Sequence, residues 1–227
     1  MAMIRKLLTE ARDARWVWDL FGPIYNQRIY NALFELYEHI AADVIQHEPS
    51  QILDVGAGPG YITLLLAARC PTAALTGIDF SAMQVRQARR LQKRRGIDNC
   101  RFREGNAMHL PFANDCFDAV VTVGSIKHWP DAQRGITEIH RVLVPGRWAV
   151  ISETDREVSG RVLRRFMQRF TAWFFWDPLL YWGLRHIIFG QSYSQQEIVS
   201  FARTAGFREI RAEKLATCPY VIVKVKK

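Results

Sequence analysis

Apolar and polar positions fall in blocks along the chain, and the blocks predict strands and helices in alternation. The run Ile52-Leu53-Asp54-Val55 predicts a strand, a glycine turn follows, and the mostly apolar stretch over 61–69 predicts a helix. The cycle repeats with a strand over 74–78 and a helix over 82–95, whose small and apolar positions Met83, Val85, Ala88 and Leu91 share one side and which Gly96 closes. A third strand falls at 100–104, and the β-branched run Ala119-Val120-Val121-Thr122-Val123 is a fourth. A helix over 131–143 is then broken by Pro145-Gly146, a fifth strand covers 148–152, and a helix over 194–205 and a strand over 220–225 end the chain. Strands alternating with helices mean βαβ units and a parallel sheet covered on both faces. Two segments stand outside this alternation: 1–50, helical and aromatic, and 156–192, rich in Arg and Trp.

Composition narrows the class. At 227 residues with 49% hydrophobic and 23% charged positions the chain is an ordinary globular protein, which excludes disorder and fibrous repeats. It reads as one domain over 1–227, with 1–50 as an N-terminal helical cap and 156–192 as a helical lid insert. Cys70, Cys100, Cys116 and Cys218 form no CxxC or Cys/His cluster, which argues against a disulfide framework and a metal site. No apolar stretch of signal-peptide length precedes Arg12, so a cytoplasmic location is expected. The apolar stretch 170–190 contains Asp177, Pro178, Arg185 and His186 and is not read as a membrane span.

The net charge is +9, and it is concentrated: Arg86, Arg89, Arg90, Lys93, Arg94, Arg95, Arg101 and Arg103 face one acid, Asp98, between them. Such a run is either a solvated helix face or an attractor of anionic surfaces and substrates.

Candidate chemistry begins at Asp54-Val55-Gly56-Ala57-Gly58-Pro59-Gly60, where the first strand passes into its helix. In open α/β sheets ligands meet the protein at such a point, outside the strand carboxyl ends. The next strand ends in Asp79, and a carboxylate there can accept hydrogen bonds from both hydroxyls of a ribose. Gly56, Gly58 and Gly60 give GxGxG rather than the dinucleotide GxGxxG, and no GxxxxGK[ST] occurs. A nucleoside-containing ligand other than a nicotinamide or flavin dinucleotide is expected.

Five stretches in order, ILDVGAGPG (52–60), LTGIDFSAM (75–83), REGNAMHLPF (103–112), FDAVVTVGSIKHWPD (117–131) and RVLVPGRWAVISE (141–153), resemble the class I S-adenosylmethionine-dependent methyltransferase family. The resemblance implies a Rossmann-like, doubly wound, mostly parallel seven-stranded α/β sheet and S-adenosyl-L-methionine as cofactor. It further implies that Gly56, Ala57, Gly58 and Gly60 let the backbone pass close to the cofactor, that Asp54 faces its amino group, and that Asp79 holds the ribose diol. By the same resemblance Phe80 and Met83 pack on the adenine, and Val123, Gly124 and Ser125 line the methionine end. Asn106-Ala107 stands where the family usually has Asp and a small residue, and the Asn106 amide oxygen still accepts from the adenine amino group. Tyr25, in a Tyr-Asn pair like the family's N-terminal Tyr-Asp, is a further cofactor contact. Phe80 and Met83 also admit a purely core reading, whereas Asp79 has little structural reason to end an apolar strand.

For methyl transfer the protein's contribution is placement of the acceptor and exclusion of water, with a general base only where the acceptor must lose a proton. His128, at the end of the fourth strand, is the candidate base; capping of the next helix or orientation of Trp129 would explain it equally well. His109, His140 and His186 are weaker candidates, the cysteine set does not suit an arsenite acceptor, and no NPP[YF] tetrapeptide for base amines is present.

The acceptor is read from the outlying segments. Residues 16–37 carry seven aromatics, and 161–190 carry nine, from Phe166 to Phe189. They form a lid over a small apolar or aromatic substrate, a homodimer interface, or a membrane-surface contact. Arg161, Arg164, Arg165 and Arg169 precede the second cluster and suit an anionic lipid surface, giving a lipid or quinone-like acceptor as the alternative. A non-catalytic cofactor-binding protein is the alternative of another class, and no nucleic-acid module accompanies the charge.

Overall fold

The structure, a computed structural model, describes residues 15–168 and 192–227, and among these the side chains of all but 15–29 and 167. A long helix α1 (Arg15–Ile45) leads into β1 (Gln51–Val55), α2 (Tyr61–Arg69), β2 (Ala74–Asp79), α3 (Ala82–Arg95) and β3 (Cys100–Glu104). The chain then returns through β4 (Phe117–Val123), α4 (Ala132–Val142), β5 (Leu143–Thr154) and α5 (Gly160–Gln168), and ends in α6 (Gln195–Ala205), β6 (Glu209–Lys214) and β7 (Tyr220–Lys226). Among the described residues seven strands make one sheet in the order β3-β2-β1-β4-β5-β7-β6, parallel except that β7 runs antiparallel to both β5 and β6.

Local chemistry sets the element ends. Ser81 caps α3 by accepting from the Gln84 amide, and Gly96 closes it in the left-handed conformation. Asp131 caps α4, and Ser194 with Glu197 forms a capping box on α6. Two expectations change. The helix before Pro145-Gly146 stops at Val142, and those two residues lie inside β5, in its exposed first half, where a missing N–H and a turn-forming residue are tolerated. The strand Glu209–Lys214 escaped the pattern because it is the sheet's mostly exposed outer edge and carries charge where a buried strand would carry apolar residues.

Strand alternation separates the core into two layers. Ile52, Val121, Val150 and Ile222 face α1, α2 and α3, whereas Leu53, Val55, Val120, Ile151 and Val223 face α4 and α6. Asp54 shares its parity with Ile52, so it points into the α1–α2 layer. The chain runs outward through β2 and β3 from β1 and then starts again at β4 beside β1. The carboxyl ends of β1 and β4 therefore bound the crevice of a topological switch point.

Candidate active site

The glycine turn is built by three different demands. The Gly56 and Ala57 amides donate to the Ile78 carbonyl at 2.9 and 2.8 Å, which ties the turn to β2. A Cβ on Gly56 would lie 2.4 Å from Ser125 Oγ, so packing requires glycine there. Gly58 is also left-handed, at φ +53, yet a Cβ on it would meet nothing within 4 Å. Its position faces open space in the crevice, where a ligand can come against bare backbone.

Two carboxylates face the same crevice. Asp54 Oδ2 accepts from the Thr63 hydroxyl of α2 at 2.5 Å, while the buried Oδ1 has no hydrogen-bond partner among the described residues. Burial raises its pKa to about 7; the Thr63 bond opposes that rise and the nearby charge of Asp79 adds to it. A buried, half-satisfied carboxyl of this kind calls for a cationic donor. Asp79 Oδ2 accepts from the Gly58 amide at 2.8 Å and Oδ1 from the Ser81 amide at 2.9 Å. It therefore has a structural task, contrary to expectation.

Around the rim, Phe80 is 40% exposed, which excludes a core role for it, and Met83 is half-buried on the first turn of α3. Asn106 is exposed after β3, its Oδ1 accepting from the Met108 amide at 3.0 Å, with Ala107 buried beside it. Neither lines the crevice around Asp54, whereas Ala57, Val123, Ser125 and His128 do. The side chain of Tyr25 lies outside the described residues, as does His186.

His128 ends a short 3-10 turn (Ile126–His128) that follows β4. It does not cap α4, because Asp131 does, and Trp129 is seated by Gly135, where a Cβ would come within 2.3 Å of the indole. The neighbouring Lys127 was not singled out from the sequence. Its side chain is 6% exposed and lines the crevice, and its Nζ reaches Glu153 Oε1 and the Gly124 carbonyl, each at 2.7 Å. Glu153 is fully buried on β5, and Tyr220 opens β7 beside the same crevice.

The remaining histidines are explained elsewhere. His140 sits on α4 with its ring edge-on to Phe207, and burial lowers its pKa, while exposed His109 pairs with Asn106 in an isolated bridge. Away from the crevice, His39, Asp43 and Glu213 converge, but the Lys224 ammonium lies 2.6 Å from Asp43 and 2.9 Å from Glu213 and takes the place of a cation.

Comparison with known proteins bears on the same span. The methyltransferase domain family matches residues 52–146, the span from β1 into β5 that carries the glycine turn, both carboxylates and His128. Residues 52–146 thus resemble a methyltransferase domain, in keeping with the class I S-adenosylmethionine-dependent type.

Among similar proteins are a demethylmenaquinone methyltransferase of Thermus thermophilus, 34% identical over 128 residues covering 55% of this chain and 58% of that one, and a chloroplastic 2-methyl-6-phytyl-1,4-hydroquinone methyltransferase of Arabidopsis thaliana, 26% identical over 215 residues covering 92% and 56%. The chain thus spans little more than half the length of these relatives. A solved SAM-dependent methyltransferase of Aquifex aeolicus superposes with a TM-score of 0.62 at 16% identity, covering 82% of this chain and 88% of that one. The [4+2]-cyclase SpnF superposes at 0.72 and 20% identity, covering 93% and 94%. These two likenesses establish the fold alone, and a cyclase among them shows that the reaction must be argued from the site.

The methyltransferase crevice fits S-adenosylmethionine on its own geometry. The unpartnered Asp54 Oδ1 matches an ammonium, the Asp79 carboxylate stands at the end of the next strand on the same crevice, and the open face of Gly58 leaves room between them. Sequence reasoning missed Lys127, Glu153 and Tyr220 because no motif joins them. A lysine in an apolar post-strand turn and a glutamate closing an apolar strand were the available signals.

Proposed function

We propose that the chain transfers a methyl group from S-adenosylmethionine to a small, largely apolar acceptor. The observation that carries this reading is the crevice at the switch point, where buried carboxylates and bare glycine backbone at one end meet the apolar and aromatic side chains of Leu33, Tyr37 and Val123. When bound, S-adenosylmethionine supplies an electrophilic methyl group on a positively charged sulfur. Asp54 receives its ammonium, Asp79 its ribose hydroxyls, and Phe80, Met83 and Asn106 the adenine, with Val123 and Ser125 along the methionine portion. Leu33 and Tyr37, buried on α1, close the crevice from the side of the N-terminal helix and keep water from the acceptor. His128 takes a proton where the acceptor must lose one.

Calorimetric titration with S-adenosylmethionine and S-adenosylhomocysteine, with NAD as control, tests the reading. One site per chain for the first two is expected, and silence from both sinks it.

A second reading places the acceptor at a membrane surface. It is supported by α5, where Arg161, Arg164 and Arg165 are exposed while Leu163 and Phe166 are buried, and by the demethylmenaquinone and hydroquinone acceptors in the relatives' names. No described helix is long and apolar enough to cross a membrane.

A further inference from the structure

Thr63 is 1% exposed on the first turn of α2, among Tyr61, Ile62, Leu64 and Leu66, where an unbonded hydroxyl would be costly. A helical threonine can return its hydroxyl to the carbonyl one turn back. Thr63 instead donates across the whole glycine turn to Asp54 Oδ2 at 2.5 Å, the length of a hydroxyl on a carboxylate. A hydroxyl has one hydrogen to donate, so the bond singles out one oxygen of the carboxyl.

The other oxygen is left in a position that neither protonation form satisfies. Ionised, the buried Oδ1 has no donor among the described residues; protonated, it has no acceptor there. With β1 holding the backbone of Asp54 and α2 holding Oδ2, Oδ1 is the oxygen left for an incoming ammonium. The same bond acts on ionisation. Burial holds the carboxyl up at about 7, the Thr63 hydroxyl pulls it down by bonding to the charged form, and the charge of Asp79 adds to the rise. The other titratable groups on the crevice are Tyr37 from α1, Tyr61 from α2, Lys127 and His128 from the turn after β4, and Tyr220 from β7.

We propose that Thr63 is a positioning residue of the cofactor site: its hydroxyl occupies Asp54 Oδ2 and so assigns Oδ1, in the ionised form, to the ammonium of the cofactor. The proposal rests on the methyltransferase reading and deepens it, because it names a residue that governs cofactor capture only through another side chain.

The test is calorimetric titration with S-adenosylhomocysteine across about pH 5–9 on the wild type, Thr63→Val and Thr63→Ser. Valine keeps the branched shape and removes the donor, whereas serine keeps the donor. The wild type is expected to lose affinity as the pH falls through about 7. Thr63→Val is expected to move that midpoint up by about one pH unit, which makes binding about tenfold weaker below both midpoints, and Thr63→Ser to restore it. Asp54→Asn should show no such midpoint, which assigns the midpoint to this carboxyl. Should the valine variant fail to fold, Thr63→Cys puts a weaker donor in the same place and should have a higher midpoint than Thr63→Ser. An unchanged midpoint in Thr63→Val, or in Thr63→Cys where that variant is used, overturns the inference even if affinity falls at every pH, because a purely structural threonine would behave that way. A shift shared by the valine and serine variants, a midpoint retained in Asp54→Asn, or a wild-type profile flat across the range overturns it too. Absence of S-adenosylhomocysteine binding at every pH is the separate result that removes the methyltransferase reading beneath it.

Discussion

The Gly58 amide donates to Asp79 Oδ2 across 2.8 Å, so the carboxylate that ends β2 holds the glycine turn that ends β1. The proposed ligand site and the scaffold meet in one side chain, because the second Asp79 oxygen also ties down the Ser81 amide at the head of α3. Removing the carboxylate must then change binding and stability together.

Asp79→Ala loses two charge-assisted bonds to backbone amides of a nearly buried group, a loss of about 2 kcal/mol. For a chain of this length the melting temperature should fall by roughly 4–8 °C, and affinity for S-adenosylhomocysteine should drop at least about a hundredfold. Thermal melts paired with calorimetry check both effects. An unchanged melting temperature would show that the turn does not depend on Asp79, and unchanged affinity would remove its assignment to the ribose.

Asp54 makes stability and binding depend on pH in opposite senses. Its carboxyl is raised to about 7 in the folded chain, from 3.8, so the folded state binds the proton more tightly than the unfolded state does. Its contribution to ligand-free stability is fully present below pH 3.8 and is lost as the pH rises towards 7. The melting temperature of the wild type should therefore fall relative to that of Asp54→Asn between pH 5 and 8. A cationic ammonium favours the ionised carboxyl, so S-adenosylhomocysteine should bind more weakly below about pH 7 and release a proton on binding there. Calorimetry in two buffers of different ionisation enthalpy reads that proton, and the same heat in both would contradict the prediction.

The glycines of the turn should separate by variant. Gly56→Ala drives a Cβ to 2.4 Å from Ser125 Oγ and should impair folding outright. Gly58→Ala meets no atom within 4 Å and carries only the strain of a left-handed residue, about 1–2 kcal/mol. It should yield a folded protein whose cofactor affinity falls at least tenfold, because the added methyl occupies the open face. Soluble, folded Gly58→Ala with wild-type affinity would place the ligand elsewhere.

The sequence made most of this architecture legible, for a physical reason. Buried strands such as 119–123 and capped helices such as the one closed by Gly96 must satisfy packing and hydrogen bonding locally, and both leave a residue pattern. The outer strand Glu209–Lys214 buries almost nothing and left none. At the site, Asp54 and the three glycines were visible because they are consecutive with β1. Phe80 was ambiguous, since an aromatic after a strand reads equally as core or rim until its exposure is known. Lys127, Glu153 and Tyr220 come from three distant stretches that only the pairing of β4, β5 and β7 brings together, and no one-dimensional pattern reports that pairing.

The cationic face of α5 leads to a prediction about where the chain would meet the proposed acceptor. Leu163 and Phe166 are buried, which fixes the rotation of the helix and leaves Arg161, Arg164 and Arg165 outward. Each arginine near an anionic bilayer surface contributes about 1 kcal/mol, so three together should strengthen adsorption on the order of a hundredfold. Sedimentation with vesicles containing phosphatidylglycerol should therefore recover the protein at low ionic strength, with recovery declining as salt approaches the physiological range. Vesicles of phosphatidylcholine alone should recover little, and the triple substitution Arg161→Gln, Arg164→Gln, Arg165→Gln should remove the difference while leaving S-adenosylhomocysteine affinity unchanged. Equal recovery by both vesicle types would mean that apolar insertion and not charge brings the chain to the surface. No recovery by either would return the acceptor to solution.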